Sequence, residues 1–446
     1  MPWKDPEFIL FDPRIRASFD VNNLSFDHDG RFCFTHGNRV QCTRKNVSLF
    51  TNIDFTLATK DQVEVTSCMF WRNLEGCDRA FVVVGTEKQI DRSASIQIWN
   101  TEHGLGRKVF EFEFNELSMM GGSSIEFAAC FTQLKTRIGS PPLLVGLSSG
   151  QVIMMIGKEY GTEFRVVLTL TGLTNPVVCI AADVCDTSYA AAADEVGNLV
   201  VWHVEMISED SYGYKITYEF NSTIDPITCI GIRDGIVITG HQSGILRFHT
   251  VKKKYVYADI ITNSKAIMCI AVHPLRDWVA VGGEDCRMAC IEFARDDEHE
   301  SVLLLSVCIN GAIIGIEFTR PNEILPCLAI MVFELPYIIY YDYESYSGTI
   351  SNPLVKPRSK LVGEALKQRR QRIGDRAKLT MAEVDEMIQK TQPATIDDSE
   401  STAPVADRRL MFDEDVEPVP EDDRPISAEE AEQRRFQELR RMYQGQ

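Results

Sequence analysis

Residues 176–202 read PVVCIAADVCDTSYAAAADEVGNLVVW, and residues 226–249 read PITCIGIRDGIVITGHQSGILRFH. The two stretches share one grammar. Each has an apolar run after a proline (177–182, 227–232). A second run follows and ends in a small residue, Ala193 or Gly240. Four positions later comes a turn glycine, Gly197 or Gly244, and then a third run ending at or near an aromatic residue, Trp202 or Phe248. Short runs rich in β-branched residues and bounded by turn residues are strand signals.

The same pair, a small residue and a turn residue four positions on, recurs at Gly146 with Gly150 and at Gly282 with Cys286. From Gly146 to Ala193, Gly240 and Gly282 the steps are 47, 47 and 42 residues. A period near 40 to 45 residues, roughly, is that of a β-propeller blade, in which four short strands form one small sheet. Further copies lie at 267–272, 278–282 and 287–293, and at 313–318, 328–332 and 337–341. Upstream are 125–131, 143–146 and 151–156, then 65–70, 81–85 and 95–99, and a shorter first copy at 31–36 and 39–43. The count is seven. Fourth strands are expected at 166–170, 216–220, 255–260 and 302–307. An unpaired edge strand invites aggregation, so residues 8–11 are expected to pair with the last blade and close the ring. The reading is an all-β, seven-bladed propeller over residues 21–350, a closing segment at 1–20 and a tail at 351–446.

Cys68, Cys130, Cys179, Cys229 and Cys269 fall at similar places in five entry strands, with Gly315 in the last. Equivalent positions on neighbouring blades are too far apart to share a cation at about 2.3 Å from each sulfur, so these read as small side chains packed near the axis. Asp27-His28-Asp29-Gly30 opens like a calcium loop, but Asn38 stands where the bidentate Glu belongs. Gly157-Lys158 has Val152 and Glu159 in place of the Gly and the Ser or Thr of a phosphate loop. The eight histidines show no metal-binding spacing, and no nucleophile elbow occurs. No catalytic, cofactor or metal residue is assigned.

The formal charge of −18 disfavours binding to a phosphate backbone, and no nucleic-acid partner is expected. Thirteen cysteines, an odd number without C-x-x-C, point to reduced thiols. No secretory signal opens the chain. The longest apolar run, 324–333, is interrupted by Pro326 and is about half of what a bilayer helix needs. A cytoplasmic location follows as the expectation, with membrane contact no more than peripheral.

After residue 348 the apolar alternation stops. Residues 356–378 are strongly basic and 397–423 strongly acidic, a composition expected to stay disordered alone. Two stretches could order on a partner: 380–390, and 427–443, where Ser427 and Glu430 form a capping box and Phe436, Leu439 and Tyr443 follow at helical spacing.

Asn22-Asn23-Leu24-Ser25 and Gly283-Glu284-Asp285, within this order of blades, resemble the WD-repeat propellers, and among them the atypical family of WD repeat-containing protein fifty-four. The resemblance spans about residues 8–342. It implies a WD40-like ring and a cytoplasmic, vesicle- or membrane-associated protein that self-associates and joins signalling or adhesion complexes. It brings no catalytic residue. The Trp-Asp pairs of such repeats are here Trp99-Asn100, Trp202-His203 and Tyr341-Asp342. The function expected is a non-enzymatic protein-interaction scaffold. Its candidate contacts are His241, Gln242, Glu284 and Asp285 on one face of the ring and Phe436, Leu439 and Tyr443 in the tail. The second reading is a subunit permanently docked in a ciliary or vesicle-transport assembly.

Overall fold

In a computed structural model, the described residues are 6–10, most of 15–342, and 353–355. The segments left out within 15–342 are short, the longest being 45–50, 55–62, 75–79, 115–125 and 320–326. The chain divides into Met1–Gly374 and Asp375–Gln446, and every described residue belongs to the first unit. Residues 380–390 and 427–443, with Phe436, Leu439 and Tyr443, lie outside the described residues.

The described strands form seven antiparallel sheets, the blades of an all-β propeller. Blade 1 is Ser25–Phe26, Arg31–His36, Arg39–Arg44 and Thr51–Asp54; blade 2 is Val63–Trp71, Phe81–Lys88, Ser93–Asn100 and Arg107–Glu113. Blade 3 is Ala128–Gln133, Leu143–Leu147, Val152–Lys158 and Glu163–Leu170, and blade 4 is Val177–Ala182, Tyr189–Asp194, Asn198–Ser208 and Ser211–Asn221. Blade 5 holds Ile227–Arg233, Ile236–His241, Ile245–Thr250 and Tyr255–Ile261; blade 6 holds Ile267–Val272, Trp278–Gly283, Arg287–Glu292 and Ser301–Cys308. Blade 7 takes Ile313–Phe318, Cys327–Val332 and Tyr337–Asp342, and its fourth strand is Glu7–Leu10 from the other end of the chain, in the register Glu7↔Tyr340 to Leu10↔Tyr337.

The repeated small residue has a steric cause. Every inner strand from blade 2 to blade 7 is bulged at the same place, after Val65, Ala128, Val177, Ile227, Ile267 and Ile313. The residue beyond the bulge pairs with the small residue of the second strand: Cys130 with Gly146, Cys179 with Ala193, Cys229 with Gly240, Cys269 with Gly282. The following blade then presses its first inner residue onto that spot. A Cβ on Gly146 would lie 2.6 Å from Val177 Cγ1 and 2.7 Å from Cys130 Sγ; one on Gly240 would lie 2.9 Å from Ile267 Cγ2 and 2.6 Å from Cys229 Sγ. In blade 7 the sizes are exchanged, Gly315 facing Met331. The residue four places on closes a turn in the left-handed region, with φ of 88°, 94° and 82° at Gly150, Gly197 and Gly244, and 65° at Cys286.

Three details differ from the sequence reading. In blade 2 the residue that pairs with Gly85 is Ser67, so Ser67 and not Cys68 is the counterpart of Cys130. The bulge adds a residue that spacing alone does not reveal. In blade 1, Arg31–His36 and Arg39–Arg44 are the second and third strands; the inner strand is only Ser25–Phe26. Neighbouring blades support it: the Phe26 amide donates to Glu317 at 2.9 Å, and Ser25 Oγ accepts from the Phe70 amide at 3.1 Å. Finally, Pro353–Val355 adds a fifth strand to blade 6 by pairing with Ser301 and Val302.

Apolar clusters fill the spaces between adjacent blades. One such cluster joins Trp71, Phe81 and Ile98 of blade 2 to Leu143, Val145 and Met155 of blade 3. No described helix is long and apolar enough to cross a membrane.

Candidate functional site

The topology gives the ring two faces. Inner strands begin on the entry face, where the turns after each second strand also lie; inner strands end on the exit face. The candidates His241, Gln242, Glu284 and Asp285 all belong to entry-face turns or the strand ends that lead into them.

His241 is fully buried. Its Nδ1 is 2.8 Å from the Asp225 carbonyl oxygen and its Nε2 is 2.9 Å from Thr239 Oγ1; the same hydroxyl is 2.9 Å from His249 Nε2, and His249 Nδ1 is 3.1 Å from the Tyr218 hydroxyl. One assignment of protons satisfies the chain. Tyr218 donates to His249, His249 to Thr239, Thr239 to His241, and His241 to the Asp225 carbonyl. Burial holds the His241 pKa below the usual histidine value, in keeping with a neutral imidazole there. His241 therefore ties the loop between blades 4 and 5 to the second strand of blade 5 and has no surface to offer a partner.

Asp285 is also committed. Its carboxylate accepts from Asn263 Nδ2 at 2.7 Å, from the Ser264 amide at 2.7 Å and hydroxyl at 3.0 Å, and from the Arg287 amide at 3.2 Å. Burial would raise its pKa, but these donors outweigh it and hold the carboxyl below its ordinary value. Asp194 does the same in blade 4, accepting from Asn175 at 3.0 Å and from the Asn198 amide at 2.8 Å. Gln242 and Glu284 are the two candidates whose side chains face solvent, Glu284 lying 3.6 Å from Lys265.

Between them the entry face shows apolar residues that the sequence reading did not single out. Ile224 is 99% exposed, Ile261 77% and Val196 40%. Hydrogen bonds tie the segments that carry them to one another. The Ser222 amide donates to the Gly197 carbonyl, Ser243 Oγ to the Asp225 carboxylate, and the Thr262 amide to the Gly244 carbonyl. An isoleucine between Ser222-Thr223 and Asp225-Pro226, in an otherwise polar turn, is the signal that would have found this surface.

The axis holds a channel of about 680 Å³ lined by the inner strands. Asn22 (φ 53°) and Leu24 enter it, and Asn22 Oδ1 accepts from the Ile270 amide at 3.1 Å. Asn23 is buried, its Oδ1 accepting from the Thr35 amide at 2.7 Å. The Asn22 to Ser25 motif thus bridges blades 6, 7 and 1. At the exit mouth Arg72 meets Glu317 at 3.2 Å, and Arg233 binds Asp277 at 2.8 Å and the carbonyls of His273 and Pro274.

The buried thiols serve packing. Cys229 and Cys269 point at carbonyls of the next blade, Ile267 at 3.8 Å and Ile313 at 3.6 Å. Burial pushes the pKa of Cys130 and of Cys229 up to about 12, so both stay protonated. Cys68 instead joins Cys33 and Cys42 between blades 1 and 2. Among the described residues no group of three or more His, Cys, Asp or Glu could hold a metal ion.

No protein-family model matches the chain, and no curated protein does. Solved structures match widely, 1447 chains in all, so the likeness speaks to architecture and not to a particular role. One is a chain from the "Crystal Structure of Mitotic Checkpoint Complex", at 12% identity and a TM-score of 0.54, covering 75% of this chain and 90% of that one. At that identity the shared property is the fold alone, a β-propeller.

Proposed function

We propose that this chain is a non-enzymatic protein-interaction scaffold whose docking surface is the entry face of blades 4 to 6. One observation carries the reading. The polar side chains there that could do chemistry (His241, Asp194, Asp285) are spent on holding turns, while Ile224, Ile261 and Val196 are held out in water. Apolar residues clustered on rigid turns are a display for partners and a cost to a protein without one. The tail adds a second set of contacts through Phe436, Leu439 and Tyr443. The likeness of the Asn22 to Ser25 and Gly283 to Asp285 stretches to the WD repeat-containing protein fifty-four family supports a cytoplasmic, vesicle- or signalling-associated setting and self-association.

The test replaces Gln242 and Glu284 together by arginine. The melting temperature should stay unchanged, because both side chains face solvent, and partners captured by the wild-type chain should be lost. Retention of every partner refutes the entry face.

A second reading, a subunit permanently docked in a transport assembly, is favoured by blade 4. Its outer strands, Asn198–Ser208 and Ser211–Asn221, are eleven residues each and expose Ile207 (72%) and Met206 (44%) near their shared turn. A docked subunit should aggregate when purified alone; a scaffold should stay soluble as a monomer or small oligomer.

A further inference from the structure

We infer that the surface formed by Val196, Ile224 and Ile261 binds a short peptide segment in which bulky apolar residues are flanked by lysine or arginine; the inference rests on the scaffold reading and names its partner's chemistry. The apolar part follows from exposure. Ile224 precedes Asp225, and Ile261 ends the outer strand of blade 5; the turn of Ser243 and Gly244 bonds to both neighbourhoods, through the Asp225 carboxylate and the Thr262 amide. Val196 extends the same strip onto blade 4 through the Gly197 to Ser222 hydrogen bond.

The charge around the strip selects the flanks. Glu195 and Glu219 stand exposed beside Val196 and the end of the outer strand of blade 4. Arg247 does not offset them, because it is shared between Asp225 at 3.5 Å and Asp259 at 3.4 Å, two carboxylates for one guanidinium. Lys265 faces Glu284 at 3.6 Å. These groups sum to a net negative charge, and the chain as a whole carries −18. An acidic rim around apolar anchors attracts a cationic segment and repels an acidic one. Desolvated isoleucines then supply the affinity that rim charges do not.

The probe is a fluorescein-labelled nine-residue peptide with leucine and isoleucine at its centre and lysine and arginine on both sides, titrated against the full chain and followed by anisotropy. Saturable binding is expected. Ile224→Ser with Ile261→Ser should weaken it by about tenfold or more at an unchanged melting temperature. Raising salt from about 50 to about 300 mM should weaken it several-fold. A charge-reversed peptide with aspartate and glutamate flanks should bind at least about tenfold more weakly. Equal binding of the reversed peptide, full binding by the double variant, or no binding of the basic peptide each overturns the inference. If the basic peptide fails in one of these ways while the Gln242 and Glu284 variant still loses its partners, the scaffold reading stands and this one falls.

Discussion

At the scale of single residues, the ring is specified by the space between one blade and the next. Gly240 is small because Ile267 of the following blade and Cys229 of its own blade occupy the volume a methyl group would need. Gly240→Ala should therefore cost roughly 1 to 3 kcal/mol, read from denaturant unfolding, as an overpacked core does; a neutral substitution would contradict this packing. Cys286 poses the opposite case, a side chain at φ 65° where three other blades have glycine. Cys286→Gly should stabilise the chain by about 1 kcal/mol, since the left-handed region penalises a Cβ. A third residue-scale prediction concerns acid. His273 Nδ1 accepts from the Leu275 and Arg276 amides at 3.0 and 2.9 Å, and burial, with Arg276 and Arg233 beside it, lowers its pKa from 6.5 to about 3. The unfolded chain binds that proton near pH 6.5 and the folded one does not, so the stability it contributes is full above 6.5 and is lost as pH falls toward 3. His273→Asn, which keeps an acceptor for both amides, should melt with a shallower decline between pH 6.5 and 4 than the wild type. An identical decline would remove His273 as the cause.

At the scale of elements, legibility in the sequence followed packing constraint. The second strands of blades 3 to 6 were readable because each carries a small residue at its end and then enters a left-handed turn, two demands that leave marks on composition. Outer strands face solvent and are under weaker constraint, which is why the run expected at 216–220 is a strand of eleven residues, Ser211–Asn221. The two-residue inner strand of blade 1 left no apolar run to read, because Glu317 and Phe70 of other blades support it from outside. Cys68 looked equivalent to Cys130 until the bulge in its strand was counted, which gives that place to Ser67. Of the candidate residues, Gln242 and Glu284 lie exposed on two entry-face turns. His241 was not recognisable as buried, because its partners Asp225 and Thr239 come together only in the folded blade. Glu317 carries the element-scale prediction. It accepts from the Phe26 amide and from Arg72, two charge-assisted bonds across blades 7, 1 and 2. Glu317→Ala should cost about 2 kcal/mol or more and raise proteolysis near blade 1 before the rest of the ring. Uniform protection across the chain would show that blade 1 does not depend on it.

At the scale of the whole molecule, a ring has no free inner edge only while its ends are joined, and the join is Glu7–Leu10 against Tyr337–Asp342. A fixed entry face depends on it, since blades 4 to 6 keep their mutual angle through the closed circle. The most direct measurement is the thermal unfolding of the full chain beside a form lacking residues 1–12. The shortened form should melt at a clearly lower temperature, by roughly 5 °C or more, with exposure of the Tyr337–Asp342 edge to hydrogen exchange. Coincident melting curves and equal exchange at that strand would contradict a ring closed by its N-terminal strand.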